Sequence, residues 1–153
     1  MRVLIQRVAR AKVRKTPSSK DKNKDSEVGC NSIGRGLLLF VGIGKDDNEE
    51  TAKYLANKIY QLRLFENNGK FDFSLADIKG EALIVPQFTL YGNTDKGRRP
   101  EFTLAASPNR ARELFDYFFD CLNGLVTCRK GFFGERMEVE LVNDGPVTLL
   151  IER

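Results

Sequence analysis

From Arg2 to Arg14 the odd positions read Val3, Ile5, Arg7, Ala9, Ala11 and Val13, a period-two face suited to a half-buried strand. One arginine interrupts that face. A guanidinium there needs carboxylates or backbone carbonyls, which it then holds in place. The alternative is a bulge that turns Arg7 outward, with Leu4 and Val8 taking over from the even face. The run Leu37-Leu38-Leu39-Phe40-Val41, within Arg35 to Gly44, suits a second strand covered on both faces. Further strand patterns lie at Val126–Lys130, at Arg136–Val142 with Met137, Val139 and Leu141 alternating, and at Val147–Glu152. Two stretches have helical spacing instead. Asp47 and Glu50 resemble a capping box ahead of Ala52, Leu55, Ala56, Ile59 and Leu62. Ser107 as N-cap and Pro108 at the first helical position precede Ala111, Leu114, Phe115, Phe118 and Leu122. Strands and helices mix without regular βαβ alternation, so the expected class is α+β with a mostly antiparallel or mixed sheet and two amphipathic helices.

The length of 153 residues predicts a single domain over 1–153. An apolar fraction of 41% beside a charged fraction of 30% belongs to a soluble globular chain rather than a disordered one. The longest apolar run, Leu37 to Ile43, is too short to cross a bilayer. The start, Met1 to Arg7, does not look like a signal peptide, and residence in the cytoplasm is expected. Lys15 to Val28 is dense in Lys, Ser and Asp without apolar periodicity, so residues 16–27 are expected to form a mobile, dispensable loop. Asn67-Asn68-Gly69 signals a turn between short strands.

The chain contains no histidine. That removes the Ser-His-Asp triad, the Cys-His dyad, His-ligated zinc and the imidazole proton shuttle. Catalysis has to use other groups, and neither a metal nor a cofactor is expected. Cys30, Cys121 and Cys128 form no CxxC pair and read as reduced thiols packed as small hydrophobes. The net charge of +4 is uneven: residues 1–27 carry nine Lys and Arg against three Asp and Glu, and the remainder is slightly acidic. Within that remainder, Gly97-Arg98-Arg99-Pro100 concentrates arginine in a stiffened loop, where contact with a polyanion is possible.

Two segments break local rules. Glu81 to Gly92 is an apolar strand pattern with Pro86 in its middle, where a ladder has to bulge, end or lie at an edge. The amides of Gln87, Phe88 and Thr89 can then point elsewhere, and a cluster of free backbone N–H groups stabilises an oxyanion without a cationic side chain. The second segment, Asn143-Asp144-Gly145-Pro146-Val147-Thr148, reads as a plain turn between strands. Alternatively, a cis Gly-Pro bond aims two carbonyls the same way, at one ammonium group.

Together the segments are more specific. Gln87-Phe88-Thr89-Leu90-Tyr91-Gly92, then Lys96-Gly97-Arg98-Arg99-Pro100-Glu101-Phe102, then Asn143-Asp144-Gly145-Pro146-Val147-Thr148 resemble the D-aminoacyl-tRNA deacylases. Gln6-Arg7-Val8-x-x-Ala11-x-Val13 and Gly36-Leu37-Leu38-Leu39-Phe40-Val41-Gly42 are similar to the same family, so the resemblance covers nearly the whole chain. Two departures stand out. Pro86 replaces the family's usual Ser; a related animal branch carries Pro there, but with Ala where this chain has Phe88. The stretch from Thr16 to Glu27 is longer than the family's usual hairpin.

The resemblance implies a barrel-like sheet and a homodimer that hydrolyses the ester between a D-amino acid, or glycine, and the terminal adenosine of tRNA. It implies that Gly145 and Pro146 of one subunit enter the other's site, where their carbonyls hold the substrate ammonium and leave no room for an L side chain. The backbone amides of Phe88 and Thr89 would face the scissile carbonyl, Gln87 would belong to the substrate site, Arg7 would anchor the Gly-Pro loop, and Arg98 and Arg99 would contact tRNA. Such chemistry suits a chain without histidine, because an aminoacyl ester is already activated and the adenosine 2′-hydroxyl lies beside it. Thr89 as nucleophile is weaker chemically, since no base is positioned for it. A different class, a non-catalytic RNA-binding module, would use Arg98 and Arg99 on phosphates and Phe88 and Tyr91 as stacking platforms.

Overall fold

The computed structural model describes residues 1–16 and 29–153. The expected loop at 16–27 lies outside the described residues apart from Thr16, whose amide donates to the Arg136 carbonyl at 2.9 Å. Lys15, grouped with that loop by composition, instead ends the first strand, β1 (Arg2–Lys15).

β1 organises one sheet. It pairs antiparallel with β2 (Cys30–Ile33), with β3 (Gly36–Gly42) and with the C-terminal β8 (Met137–Glu152). β6 (Glu81–Pro86) joins β3 in parallel, and β7 (Cys128–Lys130) joins β6 in parallel. The sheet is therefore mixed, and it curls into the barrel-like form expected. β4 (Phe65–Asn67) and β5 (Lys70–Phe73) make a separate hairpin. Its turn holds Asn68 and Gly69 at φ of 50° and 78°, the left-handed pair that a two-residue hairpin turn requires.

The alternation in β1 serves two cores rather than one. Val3 and Ile5 pack with Leu37, Leu39 and Ile84 under the helices, whereas Val8, Ala11 and Val13 pack on the opposite face with Leu38, Leu83 and Val85. The change of face is made by register shifts against β8 on either side of Val8. Ala9, which simple alternation puts inside, is exposed.

α1 (Glu49–Gln61) and α2 (Pro108–Asn123) lay the expected apolar faces on the first core: Ala52, Leu55, Ala56 and Ile59 from one, Leu114, Phe115, Phe118 and Leu122 from the other. The α1 cap differs from expectation. Asn48, not Asp47, is the N-cap and accepts from the Thr51 amide at 2.9 Å. Asp47 is occupied elsewhere, by the Met1 ammonium and the Gly44 amide. Ser107 is the N-cap of α2 as expected, but its side chain makes no capping bond. Among the described residues no helix is long and apolar enough to cross a membrane.

Candidate active site

The C-terminal ends of the parallel strands β3, β6 and β7 open on a cleft of about 740 Å³. Val41 and Val85 line it from the sheet, Phe88 and Phe102 from the segment after β6, and Phe133 and Met137 from the approach to β8. The Phe88 and Phe102 rings meet edge to face with centroids 5.0 Å apart. Phe133 is backed by Phe115 at 5.9 Å and carries the Arg112 guanidinium 4.7 Å over its ring.

Pro86 resolves the first irregular segment. It is the last residue of β6, paired with Val41, and the ladder stops because the chain turns there into one 3-10 turn, Phe88–Tyr91. The Gln87 amide donates to the Val41 carbonyl at 2.8 Å, so it is not free as the sequence suggested. The Leu90 amide donates to the Gln87 carbonyl. Between them, the amides of Phe88 and Thr89 donate to no acceptor among the described residues. The Gln87 carboxamide donates to the Thr89 hydroxyl, so that hydroxyl faces an amide rather than a base.

The second irregular segment is not a turn between two strands. β8 runs continuously from Met137 to Glu152, and residues 144–147 bulge from it opposite Arg7, where Gln6 pairs with Thr148 and Val8 with Asn143. The Gly145–Pro146 bond is cis. Arg7, only 4% exposed, faces inward rather than outward. Its Nε donates to the Asp144 carbonyl at 2.9 Å, its Nη1 to the Leu64 carbonyl at 2.7 Å and its Nη2 to the Gly145 carbonyl at 3.2 Å. The carboxylates of Glu66 and Asp144 pair with it at 3.3 and 3.2 Å. Asn143 closes the bulge by donating from Nδ2 to the carbonyls of Arg7 and Val147.

The Phe88–Tyr91 turn and the Gly145–Pro146 bulge lie apart in the chain's fold. Arg7 pairs with Leu37 at the start of β3, whereas the amide turn follows the far ends of β3 and β6. Gln87, Phe88 and Thr89 stand at one end, and Arg7, Gly145 and Pro146 at the other.

Arg98 and Arg99 are exposed on a loop whose base is closed by paired backbone bonds between Asn93 and Glu101, at 2.8 and 3.0 Å. Tyr91 is half-buried. Its hydroxyl approaches Asp47 at 3.4 Å, its ring lies under Arg2, and burial first, then Asp47, pushes the phenol up to about 12. Burial alone pushes the Cys128 thiol up to about 12, in keeping with an inert packing role. Sequence reasoning did not place Phe133 at the cleft, and it read Phe102 only as the end of a motif and Met137 only as part of a strand. The one available signal was Phe132-Phe133 between two glycines, outside any periodic pattern.

Comparison with known proteins gives a consistent result. The family described as D-Tyr-tRNA(Tyr) deacylase matches residues 4–152. A D-aminoacyl-tRNA deacylase of Thermosipho africanus is 49% identical over 99% of this chain and 97% of its own. One from Carboxydothermus hydrogenoformans is 47% identical over 99% of both. Among solved structures, the c-Myc DNA Unwinding Element Binding Protein superposes with a TM-score of 0.86 at 32% identity, covering 100% of this chain and 99% of that one. A probable eukaryotic D-amino acid tRNA deacylase, 18% identical with a TM-score of 0.78 over 98% and 97% of the two chains, shares the fold.

Proposed function

The chain belongs to the D-Tyr-tRNA(Tyr) deacylase family, and from that premise we propose that it hydrolyses the ester joining a D-amino acid to the terminal adenosine of tRNA. The observation that carries this reading is the pair of adjacent amides, Phe88 and Thr89, that meet no acceptor among the described residues, at an apolar cleft in a chain without histidine. The cleft has the size and aromatic lining for a nucleoside with an amino acid attached. Water adds to the ester carbonyl, the resulting oxyanion accepts from the two amides, and the carbon–oxygen bond to the ribose breaks with a proton passing to the departing 3′-oxygen. One such donor is worth roughly 10²–10³ in rate. The vicinal 2′-hydroxyl of the substrate supplies the proton relay that no side chain here provides.

Discrimination falls to the other half-site. Carbonyls of Gly145 and Pro146 receive the substrate ammonium, held in place by Arg7, and the crowded side excludes an L side chain while passing glycine, which has none. Their placement at opposite ends of β3 favours a homodimer in which each copy lends its Gly-Pro loop to the other's cleft. Arg98 and Arg99 take phosphates of the tRNA acceptor end, and the cytoplasm is where such a substrate is met.

A pair of substitutions tests the amide role. Thr89→Ala keeps the amide and loses the hydroxyl; Thr89→Pro loses both, at a position near a helical start where proline is tolerated. With D-tyrosyl-tRNA, Thr89→Ala is expected to retain kcat within about tenfold and Thr89→Pro to lose on the order of 10²-fold or more. Equal inactivity of two folded variants would restore Thr89 as nucleophile. Retention of intact D-tyrosyl-tRNA by the wild-type protein would make it a binding module.

A further inference from the structure

The amide turn is a poor structure to leave unsupported. It is four residues long, none of its residues is buried, and its internal bonds are few. It lies over Gly42, where an added Cβ would sit 3.0 Å from the Gln87 carbonyl oxygen and 3.1 Å from the Leu90 Cβ. Arg2, paired with Gly42 across β1 and β3, reaches the turn from the side. Its Nη1 donates to the Leu90 carbonyl at 2.8 Å, and its Cζ lies 4.6 Å from the centre of the Tyr91 ring. Its Nε is held by Glu152 of β8 at 2.6 Å. The hydrogen bond, the ring contact and the carboxylate strut thus converge on one guanidinium, itself two-thirds buried.

The geometry points to Arg2 as a positioning residue for the deacylation step: braced by Glu152, it fixes the Phe88–Tyr91 turn by the Leu90 carbonyl and the Tyr91 ring, and so sets the direction of the Phe88 and Thr89 amides. This rests on the reading of those amides as the groups that face the scissile carbonyl. Arg2 touches no lining residue of the cleft by its polar atoms, so its loss acts on the aim of the amides rather than on the fit of the substrate.

The experiment compares Arg2→Met, Arg2→Lys and Glu152→Gln with wild type on D-tyrosyl-tRNA, reading kcat and KM separately together with hydrogen exchange at the Leu90 and Gly92 amides, whose bonds to the Gln87 and Thr89 carbonyls hold the turn. Arg2→Met is expected to lower kcat by about tenfold or more with KM within about twofold, and to speed exchange at the turn. Arg2→Lys, which can still donate to Leu90, is expected to recover part of the loss, and Glu152→Gln to fall between. Unchanged kcat in Arg2→Met overturns the proposal. So does a fall in kcat with unchanged exchange at the turn, the mark of a merely structural loss. Full activity of Thr89→Pro would instead overturn the amide reading itself, whatever Arg2 does.

Discussion

Arg7 takes the place of an apolar residue on the face shared by Val3 and Ile5, and its burial is tolerable only because each nitrogen has a partner. Replacing it with Met keeps bulk but leaves the Leu64 carbonyl without its donor and frees the carbonyls of Asp144 and Gly145. Glu66 and Asp144 are partly exposed and regain water, so the cost should fall near the lower end for a broken buried pair, about 2–3 kcal/mol. Thermal unfolding of Arg7→Met is expected to show a Tm lower by roughly 5–10 °C. Deacylation should fall by more than the loss of folded protein accounts for, because the Gly-Pro loop loses its anchor. Activity equal to wild type at a temperature where the variant is fully folded would remove Arg7 from the site.

At the scale of elements, the two helices offer a matched pair of caps. The Asn48 side chain accepts from the Thr51 amide, whereas Ser107 makes no such bond. Asn48→Ala is therefore expected to cost about 1 kcal/mol and Ser107→Ala a few tenths at most, seen as denaturation midpoints that shift for the first and not the second. The helices were legible in sequence because Ala52 to Ile59 and Ala111 to Leu122 keep helical spacing, a local property. The cap of α1 was misread because Asp47 is drawn to the Met1 ammonium, a partner 46 residues away that no local pattern shows. The same holds for β1: its alternation was visible, but the bulge that moves Val8 inward and Ala9 outward depends on β8.

At the scale of the whole molecule, the separation of the amide turn from the Gly-Pro loop leads to a complementation prediction. Arg7→Met damages one half-site and Thr89→Pro the other. Unfolded together in equal amounts and refolded, they should form mixed dimers in half of the population, each with one intact composite site, and recover about one quarter of wild-type activity. Each variant refolded alone should stay near its own low level. Failure of the mixture to exceed the mean of the two would mean that each cleft is served by its own chain.

The strand and helix patterns, the lack of histidine, the interruption at Pro86 and the Asn143–Thr148 motif were all readable from the chain, because each is a matter of residue type and spacing over a few positions. Tertiary structure decided the rest: that Gln87 gives its amide to Val41 while those of Phe88 and Thr89 meet no acceptor among the described residues, that Arg7 turns inward onto three carbonyls, that Phe133 comes to the cleft and that Arg2 reaches the Leu90 carbonyl. These depend on pairings between distant segments, where one bulge or one sheet register selects which groups meet, and spacing along the chain carries no record of that choice.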